Sequence, residues 1–338
     1  MNMMVTAMMQ VRICTILLSM IFLLNICEVF RDMTNSKPQD FGKYWYNVSK
    51  ELAEIDLAAE IAPIPRHSTE FADAYGVHIT SIGPYRLYGY LSIPKGEGTF
   101  PARYYVPKNG SVLELIPQGS ANRIREKYII FSLACRGMRN SDRPYTAMYP
   151  GQLISGIESA ETSVYRGIAA DTMRGLDFLS TLPNVDKSAV ISIGNDNAIL
   201  AGALHDLTTH IVCTPAYLYE TIAKSYETNS YPLEEFSDYV RRYPDRKDSV
   251  EKTLSYFNIK SHAISITAAT LIMADYKGGQ YDKKALEGLA DLIVGDVTIH
   301  ESERSSFKDG LFMEKWVATE LYPDDENPII PMNWMGNV

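Results

Sequence analysis

The stretch AVISIGNDNAILAGAL, residues 189–204, contains the pattern that decides the fold. Ala189–Ile193 is a mostly apolar run, which is typical of a strand covered on both faces of a sheet. Gly194-Asn195-Asp196-Asn197-Ala198 follows at once, and an apolar helical pattern then continues to about Leu207. A buried strand that turns directly into a helix is the repeating unit of parallel α/β sheets, so this junction predicts an α/β fold.

Further strand and helix patterns alternate on both sides of this junction. Tyr128–Ala134 is another continuous apolar run, and Thr162–Leu182 has apolar residues at helical spacing. His210–Thr214 and Ala268–Ala274 are short apolar runs that predict two more buried strands. The alternation predicts a mostly parallel central sheet with helices on both faces.

The chain before the parallel sheet has a different pattern. Helical spacing over Phe41–Ile55 is followed by Pro63 and Pro65, which we expect to interrupt regular structure. Val77–Ser81 and Leu87–Ile93 then alternate apolar and polar residues. This alternation predicts a β-hairpin extension on the N-terminal side of the sheet.

Residues 1–31 form an N-terminal hydrophobic segment whose apolar stretch is Val11–Ile26. The length of that stretch suits a signal peptide, but no cleavage site of small residues follows it. Counted through Phe30, the segment is also long enough for a membrane anchor. We expect an exported or membrane-anchored protein, whether or not the segment is cleaved, and a cytoplasmic one if the start of the chain is wrongly assigned.

A linker over residues 32–39 and one domain over residues 40–338 complete the predicted organisation. The formal net charge is -9 and no basic stripe interrupts the acidity, which argues against a nucleic-acid partner. The 4 cysteines form no C-x-x-C pair, and no histidine stands at metal-ligand spacing. We expect no metal and no cofactor.

Several separated motifs lie between about residues 40 and 315. They include Lys43-Tyr44-Trp45, Ser68–Asp73, Tyr88–Pro94, Arg136-Gly137, Tyr165-Arg166-Gly167 and Asp238–Arg242. In these motifs the chain resembles the acetyl xylan esterase and cephalosporin C deacetylase family of the α/β-hydrolase superfamily. The resemblance implies an α/β-hydrolase fold, serine catalysis, removal of acetyl groups from xylo-oligosaccharides or cephalosporins, and a homo-oligomer.

The family's catalytic triad falls on substituted positions in this chain. α/β-Hydrolases place a nucleophilic serine at the centre of a G-x-S-x-G elbow between a strand and a helix. Here Asp196 stands at the centre, while Gly194 and Ala198 still satisfy the need for small residues. The acid position aligns with Gly279 and the histidine position with Glu303.

Two further positions correspond to the family's oxyanion hole, the pair of N–H groups that binds the developing negative charge. Asn109, in the turn Pro107-Lys108-Asn109-Gly110, can supply a backbone N–H group, and Asn197 is the residue after the nucleophile position. The resemblance therefore implies Asn109 and Asn197 as oxyanion-hole residues.

Three functional interpretations follow from these substitutions. The first is an inactive or strongly impaired esterase that keeps a pocket for a sugar, because a serine triad needs all three of its members. The second is an active hydrolase with Asp196 as nucleophile, His300 as base and Asp275 as orienting acid, as in haloalkane dehalogenases and epoxide hydrolases. The third is an ordinary acetyl esterase whose catalytic residues lie elsewhere.

Under each interpretation the expected substrate or ligand is an acetylated oligosaccharide or a small-molecule ester. Tyrosines are frequent in two stretches, Tyr217–Tyr219 and Tyr226–Tyr231. Such side chains can stack on sugar rings, although tyrosines are more often half-buried packing residues with a hydroxyl at the surface.

Overall fold

A computed structural model of the chain describes residues 37–109, 119–148 and 150–322. The predicted N-terminal hydrophobic segment and most of the linker lie outside the described residues. Contacts divide the chain after Phe41, and the sheet with its helices belongs to the unit that begins at Gly42. Among the described residues, no helix has the length and the apolar character needed to cross a membrane.

Nine strands of the described chain form one mixed sheet. They are β1 (Glu60–Pro63), β2 (Ala72–Ser81), β3 (Tyr85–Pro94), β4 (Phe100–Tyr105), β5 (Ile129–Leu133), β6 (Val185–Gly194), β7 (His210–Cys213), β8 (Ala269–Ala274) and β9 (Val297–Glu301). Their order across the sheet is β1-β2-β3-β5-β4-β6-β7-β8-β9. The pairs from β1 to β5 are antiparallel, and every pair from β5 to β9 is parallel.

Helices and short 3-10 turns connect these strands. The α-helices of the described residues are α1 (Phe41–Glu54), α2 (Val164–Thr181), α3 (Asp196–Leu204), α4 (Thr221–Ser225), α5 (Glu234–Arg242), α6 (Lys247–Ser255), α7 (Ile259–Ala263), α8 (Lys283–Ala290) and α9 (Ser306–Leu321). The predicted class is therefore confirmed: a mostly parallel sheet is flanked by helices and preceded by antiparallel strands.

The N-terminal extension is larger than the predicted hairpin. Strand β1 adds a second antiparallel pair, in which Glu60 lies opposite His78 and Pro63 lies opposite Tyr75. Strand β1 ends at Pro63, where the sequence predicts an interruption, and a 3-10 turn begins at Pro65. Since β1 is at the edge of the sheet, a proline without an N–H group is tolerated there.

Neighbouring residues of β4 contact helices on opposite faces of the sheet. Arg103 contacts α9, whereas Tyr104 packs against α2 on the other side, as strand alternation requires. A Cβ atom at Gly175 of α2 would lie 2.1 Å from the Oη atom of Tyr104, so the helix approaches the sheet closely because this residue is glycine. Helices α2 and α9 therefore cover opposite faces.

Helix α9 is attached to the sheet by a buried ion pair. Glu314 accepts two hydrogen bonds from the Arg103 guanidinium, at 2.8 and 2.7 Å, and both side chains are almost fully buried. Burial by itself lowers the pKa of Arg103, but the attraction of Glu314 more than offsets this and raises the pKa well above its usual value. Arg103 also stacks on the Tyr128 ring. The pair fixes α9 across the central strand.

We expect Glu314→Gln to lower the free energy of unfolding by about 3–5 kcal/mol, because the substitution leaves the Arg103 charge buried without its counter-ion. Urea denaturation followed by circular dichroism measures the change. The double substitution of Arg103→Met with Glu314→Leu is the control, and most of the stability should return in it. A loss below about 1 kcal/mol in the single variant would contradict the assigned importance of this pair.

Candidate functional site

A cavity of about 600 Å³ opens at the carboxyl ends of the parallel strands. Five strands contribute side chains to its lining, namely Tyr105, Leu133, Ile193, Val212 and Met273. Ligands of open α/β sheets bind at this edge, because the loops that leave the strands there form a crevice. The position and the size of the cavity are those of a small-molecule binding site.

The predicted elbow lies at the bottom of this cavity. Gly194 ends β6 and lines the cavity, and helix α3 begins at Asp196 with Asn195 as its N-cap. A Cβ atom at position 194 would lie 2.6 Å from the Val106 Cγ2 atom. Glycine is therefore required at this position because the elbow packs directly against the end of β4.

The carboxylate of Asp196 is fully buried and does not belong to the described lining of the cavity. It accepts hydrogen bonds from the backbone N–H groups of Ala216, at 3.1 Å, and of Tyr217, at 3.0 Å. Both residues belong to the loop that follows β7. Asp196, predicted to stand at the family's nucleophile position, thus joins the elbow to the loop after β7.

Burial raises the pKa of Asp196 to about 6, and the hydrogen bonds from the backbone N–H groups of Tyr217, Ala216 and Leu218 act in the opposite direction. Desolvation disfavours the charged carboxylate, while the N–H dipoles stabilise it. The net effect is a carboxylate that gains a proton more readily in the folded chain than in water.

Asn195, rather than Asp196, is the elbow side chain that lines the cavity. Its Oδ1 atom accepts the backbone N–H of Asn197 at 3.2 Å, and its Nδ2 atom donates to the Tyr217 hydroxyl at 3.1 Å. The Asn197 N–H, implied as an oxyanion-hole donor, is therefore engaged in capping α3. The Asn197 side chain donates to the Pro107 carbonyl at 2.7 Å.

The other implied oxyanion-hole residue, Asn109, does line the cavity. Its Nδ2 atom donates to the Tyr231 hydroxyl at 3.0 Å. Of the tyrosines considered as sugar-stacking residues, Tyr217 and Tyr231 contribute to the lining. Tyr217 is buried, whereas Tyr231 is 48% exposed and stands at the mouth.

There is no room for a side chain at Gly279, the residue that the sequence aligns with the family's acid. A Cβ atom at Gly279 would lie 2.6 Å from the Asp275 Cβ atom and 2.9 Å from the Tyr276 carbonyl oxygen. Asp275 itself accepts the backbone N–H of Tyr281 at 2.9 Å, which closes the turn containing Gly279. Asp275 is thus a turn-forming residue.

Glu303, which the sequence aligns with the family's histidine, binds Lys308 through its carboxylate at 2.5 Å on the protein surface. His300 lies in β9, three residues earlier, and its Nε2 atom is 2.8 Å from the Asp309 carboxylate. The imidazole also stacks on the Phe312 ring. His300 is therefore paired with Asp309 of α9, not with Asp275.

The hydrogen bonds of the predicted site residues do not join them into a triad. Asp196, Asp275 and His300 each bond a different group, and none of them is among the cavity-lining residues. Within the described part of the chain, the lining contains no serine, cysteine, histidine, aspartate or glutamate. The same described residues include no group of three or more His, Cys, Asp or Glu that could hold a metal ion.

Sequence reasoning missed the cavity role of Asn195 and of Met313, which comes from the distant helix α9. Asn195 could have been noticed as a helix N-cap, because asparagine is favoured directly before the first helical residue. For Met313, no local signal in the sequence connects it with the elbow.

We expect the stability of the chain to report the titration of Asp196. Because its pKa is raised on folding, the folded state holds the proton more tightly, and this group favours folding more at low pH than at neutral pH. The free energy of unfolding of the unaltered protein, minus that of Asp196→Asn, should rise by about 2 kcal/mol between about pH 7.5 and pH 4.5.

Urea denaturation at the two pH values measures this difference. The control is Asp206→Asn, which removes an exposed aspartate near the same helix. If the difference in unfolding free energy between the unaltered protein and Asp196→Asn is the same at both pH values, or is smaller at pH 4.5 than at pH 7.5, the carboxylate is not buried as described.

Comparisons with known proteins support the same assignment of fold. The model of the acetyl xylan esterase (AXE1) family matches residues 21–277. Acetyl esterase Axe7A of Xylanibacter ruminicola is 21% identical over 262 residues, which cover 74% of this chain and 58% of that protein. The chain thus spans little more than half the length of this relative.

Two solved structures share the fold over nearly their whole length. An acetyl xylan esterase from Paenibacillus sp. R4 has a TM-score of 0.74 at 20% identity, covering 86% of this chain and 98% of the other. Acetyl xylan esterase 1 from Thermoanaerobacterium sp. JW/SL YS485 has a TM-score of 0.71 at 19% identity, covering 85% and 95%. Since the family model matches well over half of its residues, the chain belongs to the acetyl xylan esterase (AXE1) family, with an α/β-hydrolase fold.

Proposed function

We propose that this member of the family does not run the serine mechanism of acetyl ester hydrolysis and uses the retained cavity to bind a small ligand. The observation that carries the proposal is the composition of the cavity: its described lining holds neither a serine or cysteine nucleophile nor a histidine base. A serine hydrolase needs the hydroxyl, the base and the oxyanion donors within reach of one reacting carbonyl.

The bonding of the substituted residues supports the same conclusion. Asp196 is turned away from the cavity, towards the loop after β7, and Glu303 lies at the surface with Lys308. The Asn197 N–H, one of the two expected oxyanion donors, is used by the Asn195 side chain. Losing the nucleophile or base of a serine hydrolase costs roughly a millionfold in rate.

The alternative with Asp196 as nucleophile needs a carboxylate that faces the substrate and a base within reach of it. The Asp196 carboxylate is fully buried behind the elbow, and the nearest partner of His300 is Asp309. No observation on the described residues favours this mechanism over ligand binding.

We expect the full chain to hydrolyse a chromogenic acetate ester no faster than the Asp196→Ala variant, within about two-fold. Asp196→Ser, which restores the family's nucleophile residue, should bring no gain, because no histidine lines the described cavity to take the serine proton. Initial rates at several ester concentrations, corrected for hydrolysis in buffer, make the comparison.

A clear rate that disappears in Asp196→Ala would make Asp196 a working nucleophile and overturn the proposal. A clear rate that survives in Asp196→Ala would equally overturn it, since the catalytic residues would then lie elsewhere in the chain. His205→Ala, a change outside the described lining, controls for effects of substitution on folding.

Two expectations from the sequence remain separate proposals. Export or membrane anchoring rests on the apolar stretch Val11–Ile26, and cell fractionation with N-terminal sequencing tests it. A homo-oligomer rests on the family resemblance, and sedimentation of the full chain tests that. Neither proposal affects the argument about the cavity.

A further inference from the structure

One side of the cavity continues the hydrophobic core. Ile193 and Val212 belong both to the lining and to the core cluster that packs against α9. Met273 and Met313 also line the cavity, and they pack against the same cluster while remaining only partly buried. These four side chains are called the apolar wall below. An apolar ligand against the wall would remove the remaining methionine surface from water, and flexible methionine side chains can adapt to its shape.

Hydroxyl groups line another part of the cavity. The Tyr217 hydroxyl accepts a hydrogen bond from Asn195, and the Tyr231 hydroxyl accepts one from Asn109, so each tyrosine keeps its own proton to donate. Thr214 is exposed, and its hydroxyl makes no hydrogen bond to the described residues. The hydroxyls of Thr214, Tyr217 and Tyr231 are called the polar edge below. They can satisfy a ligand oxygen that leaves water.

The two remaining polar side chains of the described lining already have partners. Tyr105 packs against the core cluster and also interacts with another group of the protein. Lys108 is the one charged side chain of the described lining, and it too interacts with another group. A charged ligand would therefore give up its hydration in a cavity that offers no free counter-charge among the described residues, which is costly.

From this arrangement we infer that the cavity takes a neutral ligand with a hydrocarbon body and one hydroxyl group, of the class of medium-chain alcohols. The hydrocarbon body lies against the apolar wall, and the hydroxyl group bonds at the polar edge. The inference rests on the proposed function, a cavity that binds without turnover, and adds the chemical class of the ligand.

Isothermal titration of the full chain with hexan-1-ol, heptan-1-ol and octan-1-ol, each below its solubility limit, tests the inference. Affinity should rise by roughly three- to four-fold with each methylene, because each one leaves water. Sodium octanoate and octylammonium chloride have the same chain length but carry a charge, and each should bind at least about ten-fold more weakly than octan-1-ol. Binding of either ion that equals or exceeds that of octan-1-ol would overturn the inference.

Variants of the apolar wall place the ligand. Met313→Gln puts an amide of similar length into the wall and should weaken octan-1-ol binding at least about five-fold, because the amide loses water when the ligand covers it. Met313→Leu is the matched control at the same position, and it should bind within about two-fold of the unaltered protein.

A second position keeps the test independent of the folding of one variant. Met273→Gln makes the same change on β8 instead of α9 and should weaken octan-1-ol to a similar extent. Thermal unfolding of each variant verifies that the fold is intact. Octan-1-ol binding that is equal in both glutamine variants and the unaltered protein would place the ligand away from the wall and overturn the inference.

The outcomes separate the ligand class from the proposed function. Binding of acetylated xylobiose without hydrolysis, together with no binding of octan-1-ol, overturns the inference and leaves the proposed function standing. Hydrolysis of that sugar ester by the same protein overturns the proposed function.

Discussion

The arrangement of the cavity depends on the hydrogen bonds between the Asp196 carboxylate and the backbone N–H groups of Ala216 and Tyr217. These bonds join the elbow after β6 to the loop after β7. They hold Tyr217 where its hydroxyl meets Asn195, so two walls of the cavity are fixed by one side chain. A buried carboxylate is costly, and backbone donors of this kind are what make it tolerable.

Asp196, which the sequence aligns with the family's nucleophile, thus has structural contacts to the loop after β7. Gly279 and Glu303, which the sequence aligns with the family's acid and histidine, lie in the tightly packed Asp275 turn and in a surface ion pair with Lys308. The scaffold around them is retained, including the close packing of Gly194 on Val106. Substitutions at such positions leave the fold intact because function depends on a few side chains placed on a fold that does not need them.

Much of the fold could be predicted from the sequence, because buried parallel strands have continuous apolar runs and the elbow has its own pattern of small residues. Strands β1 and β9 could not be found in this way. Every residue of β1 is exposed, so this strand has no apolar face, and the alternation of apolar and polar residues in β9 covers only Val297–His300.

The candidate site was predictable only in part. The spacing placed Asp196 at the elbow correctly, as the first residue of α3, but the direction of its carboxylate depends on N–H groups twenty residues later in the chain. The contribution of Met313 depends on how α9 crosses the sheet, which is set by the buried Arg103–Glu314 pair. Tertiary contacts of this kind leave no local trace in the sequence.

The most direct test of the structural role of Asp196 is hydrogen exchange at the amides of Ala216 and Tyr217, resolved to single residues by mass spectrometry or NMR. We expect slow exchange of both amides in the unaltered protein and exchange at least about ten-fold faster in Asp196→Ala, with the amides of β6 and β7 unchanged. Fast exchange in the unaltered protein, or equal protection in the variant, would contradict the structural role of Asp196.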